Sequence, residues 1–157
     1  MPESILSIGP LSWFAILSAL LCGAIIGTER QMLGKPVGIR TSMLICVGTY
    51  AFVAVSNSVA TDITDPSRVI GQVITGIGFL GAGVMLSRDG LVFGVTSAAT
   101  IWMLAAIGVT IATGYNSTGI KLAVLTVVIL VGVDVLENTF KSMQKGVHAR
   151  LMSRKKE

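Results

Sequence analysis

Residues Thr75–Leu86 read TGIGFLGAGVML, and the fold turns on what their glycines are for. Gly76, Gly78 and Gly81 have the GxGxxG spacing of a dinucleotide-binding loop. That reading needs a strand before the glycines, a helix opening after them, and an acid about twenty residues on to hold a ribose. Here the run sits inside Val69–Ser87, 19 residues without a charge, and the nearest later acid is Asp89, eight residues past Gly81. A phosphate would have to enter an apolar segment, so no nucleotide is expected. As a helix the same residues make sense. Gly71, Thr75, Gly78 and Ala82 recur at intervals of four, three and four, forming one stripe of small residues. Such stripes let helix backbones approach closely in lipid, where no hydrophobic force drives them together. Ala98, Ala105 and Gly108 form a matching seam on the next apolar block. Glycine is common in membrane helices, but five in the thirteen residues Gly71–Gly83 exceed that background. The third and fourth helices are therefore expected to pack tightly, within one subunit or across two.

The rest of the chain has the same character. Of its 157 residues 52% are hydrophobic and 13% charged, against roughly 25% charged in soluble domains. A membrane-crossing helix needs about 20 mostly apolar residues. Ser4–Thr28 is uncharged, with Pro10 suited to a helix beginning near Leu11, and Thr41–Thr61 is a second uncharged block. Asp65-Pro66 is a good start for a third helix, Asp65 as cap and Pro66 at the first helical position. From Gly90 to Val133 the only charge is Lys121, a length that suits two spans broken at the turn-like TGYNSTG, Thr113–Gly119. The expected fold is all-α: a polytopic bundle of five transmembrane helices over residues 11–138. Segment 1–10 would precede it on the periplasmic side, and a basic cytoplasmic tail, 139–157, would follow. Arg30, Lys35, Arg40, Arg88, Lys141, Lys145, Arg150, Arg154, Lys155 and Lys156 then fall on one side and only Arg68 and Lys121 on the other. Lys and Arg favour the cytoplasm, so the N-terminus is expected outside and the C-terminus inside, with Trp13 and Tyr115 near the outer interface.

The net charge of +4 lies in connectors and the tail, which argues against a nucleic-acid partner; membrane lipid is the expected surroundings. A charge at a helix centre costs about 2.5–3.5 kcal/mol on insertion scales, and this chain keeps its charges near helix ends. Glu29, Arg30, Arg40 and Asp134 gather at the cytoplasmic ends, where Asp134 or Glu29 is expected to pair with Arg40 or Arg30 in a polar layer. On the outer side Asp62 and Asp65 are weak candidates for a hard cation such as Mg²⁺, which accepts one or two carboxylates plus water. Gln72, Thr75 and Thr96 read as interhelical hydrogen-bond donors before they read as a polar path. Cys22 and Cys46 lie in apolar blocks without disulfide or metal-ligand spacing and are read as small apolar residues. There is no Ser/His/Asp set, no HExxH and no P-loop, so neither enzyme chemistry nor a cofactor is expected.

Four stretches, LLCGAIIGTER, VGIRTSMLICVGTY, GQVITGIGFLGAGVML and GVTSAATIWMLAAIGV, together resemble the MgtC/SapB family of bacterial inner-membrane proteins. The resemblance runs from about Leu20 to Leu136 and rests on Glu29-Arg30, Gly38 with Arg40-Thr41, the glycine run Gly76–Gly83, and Thr96 through Trp102. It implies a five-helix membrane domain with a cytoplasmic C-terminus, in the short form without the soluble domain that longer members add. Phe93 departs from the pattern, standing where a polar or basic residue is expected. The resemblance also implies a role under magnesium or acid stress. The leading expectation is a protein that modulates ion or proton homeostasis by binding other inner-membrane proteins, with a homo-oligomer also possible. The alternative is a passive Mg²⁺ channel or carrier using the polar layer.

Overall fold

In hydrocarbon every backbone N–H and C=O must be satisfied within the protein, which leaves an uncharged 20-residue segment little choice but helix. The computed structural model describes residues 8–61, 65, 67–88 and 91–139. It contains five helices: α1 (Trp13–Met32), α2 (Ile39–Ser58), α3 (Ser67–Gly83), α4 (Val95–Ala112) and α5 (Asn116–Thr139). Asp62 and nearly all of segments 1–10 and 139–157 lie outside the described residues. Of the five helices α1, α2, α4 and α5 are long and apolar enough to cross a membrane. At 17 residues, α3 is about 25 Å long, slightly short of a ~30 Å hydrocarbon core.

Two of the turns that reverse the chain are written in glycine. At the end of α1, Gly34 takes φ 62°. Its N–H bonds to Gln31 O at 3.1 Å and the Lys35 N–H to Arg30 O at 2.9 Å, the paired bonds of a Schellman cap. The expected break after α4 is closed the same way. Gly114 has φ 92°, with Gly114 N–H to Ile111 O at 3.0 Å and Tyr115 N–H to Thr110 O at 3.1 Å. Between α3 and α4 a feature absent from the sequence reading appears, a short antiparallel hairpin of β1 (Leu86–Arg88) and β2 (Leu91–Phe93). Gly94 follows it at φ 86°, against the Val84 carbonyl oxygen, where any side chain would be excluded.

The helices assemble around α1, α2 and α4. Cys22, Ile26, Cys46, Leu104 and Ile107 are fully buried at their centre, so both cysteines serve as small core residues. Close approach depends on glycine, at positions other than those expected. A Cβ on Gly23 would lie 2.5 Å from Met43 Cα, and one on Gly27 2.5 Å from Ile39 Cα, so α1 and α2 touch backbone to backbone. Gly108 meets α2 instead of α3: a Cβ there would lie 2.7 Å from Thr49 Cβ and 2.8 Å from Cys46 O.

The α3 stripe is corrected by the fold. α3 does pack on α4, but through Ile77, which is buried, and Gly81, whose Cβ would sit 3.6 Å from Ala98 Cβ. Ala98 thus lies against α3, and Ala105 is buried. Gly71, Thr75, Gly78 and Ala82, by contrast, are all exposed, and a Cβ on Gly71 or Gly78 would meet nothing within 4 Å. Thr75 spends its hydroxyl on Gly71 O of its own helix, at 3.0 Å, rather than on a neighbour. At 100° per residue the stripe is centred about 110° around the helix from the middle of the Ile77–Gly81 face. The interval was a true helical stripe; the chain buries a different one.

Three contacts set the parity of the bundle. Arg30 near the end of α1 bonds Ser97 near the start of α4, and Lys35 after α1 bonds Asp134 near the end of α5. The Ser12 N–H meets Tyr50 Oη at 2.8 Å, at the opposite end. Since α2 leaves the Arg30 end and α4 begins there, α3 must carry the chain back. It traverses the bundle despite its length, and the start of α1 and the end of α5 lie at opposite ends.

Candidate functional site

The polar residues worth following collect at the Arg30 end. Glu29 and Arg30 occupy the last turn of α1, where a cation is favoured by the helix dipole. The Arg30 side chain is 1% exposed and that of Glu29 7%. Arg30 Nη2 donates to Ser97 Oγ at 2.7 Å, tying α1 to the first turn of α4. Nη1 lies 3.9 Å from Glu29 Oε2, at the outer limit of an ion pair. Arg30 Nε and Nη1 and both Glu29 carboxylate oxygens are buried without a hydrogen bond among the described residues. A guanidinium offers five donors, so one strong bond leaves most of its capacity unused. Burying charge this way is costly unless it is fully paired, and intramembrane charge of this kind marks a site in most membrane proteins.

Beside the buried pair sits an outer one. Lys35 Nζ donates to Asp134 Oδ2 at 3.0 Å, both side chains about two-fifths exposed. The Schellman turn on Gly34 puts Lys35 there, and α5, packed along α1, brings Asp134 to the same level. The expected partners were therefore wrong in part. Asp134 pairs with Lys35, not with Arg30 or Arg40, and Arg40 stands exposed away from the layer. The cause is helical phase: Ser42, Ile45, Cys46, Thr49 and Val53 form the buried face of α2, and Arg40 lies on its far side at 100° per residue. Ser97, the residue that holds Arg30, was missed. Its only signal was a hydroxyl within a block of small residues, which sequence alone cannot tell from packing.

At the opposite end Asp65 is engaged as a cap. Its Oδ1 accepts the Ser67 N–H at 2.9 Å and its Oδ2 the Ser67 hydroxyl at 2.8 Å. These bonds, from the hydroxyl first, hold the exposed Asp65 carboxyl below the usual carboxylate range. Both oxygens are spoken for, which leaves a poor cation ligand. Among the described residues no three His, Cys, Asp or Glu side chains cluster as a metal site. Trp13 and Tyr115 are exposed at this same end, where aromatic side chains anchor at a lipid–water boundary.

The chain that folds into this bundle has relatives. Residues 16–139 match the MgtC family. A protein of Escherichia coli (strain K12) named "Putative magnesium transporter YhiD" is 44% identical over 143 residues, covering 87% of this chain and 65% of the relative. "Protein MgtC" of Brucella abortus (strain 2308) is 40% identical over 138 residues, 83% of this chain and 56% of the relative. "Protein MgtC" of Salmonella typhimurium (strain 14028s / SGSC 2262) is 43% identical over 94 residues, 60% of this chain and 40% of the relative. The chain thus spans less than two thirds of the length of these relatives. No solved structure matches it. With the match running through all five helices, the chain belongs to the MgtC family and is a multi-pass membrane protein.

Proposed function

We propose that this chain is a bacterial inner-membrane protein that modulates Mg²⁺ or proton homeostasis, under low magnesium or acid stress, by binding other membrane proteins. It performs no catalysis of its own. The magnesium side of this reading is supported by the name of the Escherichia coli relative. The orientation, N-terminus outside and C-terminus in the cytoplasm, is supported by the Lys and Arg bias, which puts the Glu29–Arg30 layer on the cytoplasmic side.

One observation carries the binding reading: the small-residue face of α3 (Gly71, Thr75, Gly78 and Ala82) is left uncovered by the described residues. A face this flat lets another helix approach to van der Waals contact. Gly78→Leu tests it cleanly. The new side chain meets open space in the single chain, and leucine gains about 0.8 kcal/mol of helix propensity over glycine. Insertion and folding are therefore expected to survive while co-purification with a membrane partner from native membrane is lost. Association that persists in both Gly78→Leu and Gly71→Leu overturns the proposal.

The buried, under-bonded Glu29 and Arg30 favour a second reading, a passive cation path through the polar layer. Purified protein in liposomes separates the two. Binding alone predicts no Mg²⁺ or proton flux, whereas a conducting path predicts flux that falls in Glu29→Gln and Asp134→Asn.

A further inference from the structure

α2 and α3 meet only partly, and the gap between them is a groove of about 570 Å³. Its floor and walls are apolar: Leu44, Ile45 and Phe52 on α2, Val73, Ile77 and Leu80 on α3. Gly48 and Gly76 open it, since each lines the groove and a Cβ on either would meet nothing within 4 Å. On α2 the lining runs from Thr41 to Phe52, about 17 Å at 1.5 Å per residue. One leaflet of a ~30 Å hydrocarbon core is about 15 Å deep. The groove therefore begins near the Arg30 end of the bundle and is about as long as one leaflet is deep, its α3 wall running from Leu80 back to Val69.

A charge lies just beyond its α2 end, outside the lining. Arg40 precedes the groove-lining Leu44 by one helical turn on the same stripe, is exposed, and forms no ion pair with a carboxylate among the described residues. It stands at the start of α2, where the Ile39 N–H already donates to Gln31 Oε1 at 3.3 Å, so the guanidinium is the main anion donor. A helix start and a guanidinium together favour a phosphate. An apolar trough with a cation beyond one end matches a lipid tail and its headgroup, whereas a neighbouring helix would call for apolar contact and no charge there.

We infer that the α2–α3 groove binds an anionic phospholipid of the adjacent leaflet, one acyl chain lying between Gly48 and Gly76 and the headgroup phosphate on Arg40. This site lies on the opposite side of α3 from the Gly71–Ala82 stripe and stands independently of partner binding.

Native mass spectrometry of the full chain with added phosphatidylglycerol or phosphatidylcholine of matched chains tests it. The wild type is expected to hold one phosphatidylglycerol per chain, about fivefold more tightly than phosphatidylcholine. Gly76→Leu and Gly48→Leu are expected to weaken either lipid about tenfold or more, and Gly71→Leu, on the other face, to leave both unchanged. Arg40→Gln keeps a lipid but levels the headgroup preference. Helix content by circular dichroism checks that each variant is folded. Unchanged lipid retention in both Gly76→Leu and Gly48→Leu overturns the inference. So does loss of a dimer in those variants with lipid retention intact, which would make the occupant a second copy.

Discussion

Arg30 is the residue whose environment is hardest to explain by packing alone. It is the largest fully buried side chain among the described residues, and it makes one hydrogen bond, to Ser97. The physics of a buried pair predicts an asymmetry. Arg30→Ala strands the Glu29 carboxylate and is expected to cost about 3–5 kcal/mol. The double substitution Glu29→Gln with Arg30→Met removes both charges and is expected to recover most of that loss. Unfolding in mixed micelles, read as a double-mutant cycle, measures both. By contrast Asp134→Asn breaks a pair that is about two-fifths exposed and is expected to cost no more than about 1 kcal/mol. Were Arg30→Ala as mild as Asp134→Asn, the buried pair would be structurally idle.

Among the elements, glycines that look alike in the sequence divide into two kinds. Gly23 and Gly27 are contact points where α1 lies on the α2 backbone. Gly23→Ala would place its Cβ 2.5 Å from Met43 Cα, so the two helices must separate or shift. Gly71 carries no such contact, and Gly71→Ala is expected to raise stability by up to about 1 kcal/mol through helix propensity. Opposite signs of the shift in thermal unfolding for Gly23→Ala and Gly71→Ala are the expected result; equal destabilisation would place α3 against another part of the same chain. The sequence could separate helix from loop here because the turn glycines Gly34 and Gly114 follow their apolar blocks. It could not rank glycines within a helix, since rank depends on which face meets a neighbour. The hairpin of Leu86–Arg88 and Leu91–Phe93 went unread, because strands of three residues are too short to show a period of two.

For the whole molecule, parity follows from three interhelical contacts, while the proposed orientation rests on charge. Met32 and Tyr115 are both exposed and lie at opposite ends. Met32→Cys and Tyr115→Cys are therefore expected to react with an impermeant thiol reagent from opposite sides of the membrane, Tyr115→Cys from outside. Native Cys22 and Cys46 are buried and are expected to stay silent. Labelling of both sites from one side would mean that α4 does not cross between them and α1 as described.

By itself the sequence determined that the chain dissolves in lipid, that it does so as helices, where most of them turn, and which residues bear charge near their ends. Those are properties of composition and local backbone chemistry: uncharged segments of spanning length must satisfy their own hydrogen bonds, and glycine past a helix end accepts the left-handed turn. Only the tertiary structure decided who touches whom. It gave Arg30 to Ser97 and Lys35 to Asp134, left Arg40 outside, and turned the Gly71–Ala82 stripe away from α4. The reason is rotational. In lipid no hydrophobic force selects the inward face of an apolar helix, so several faces of α2 and α3 were equally credible until the shapes of their neighbours chose one.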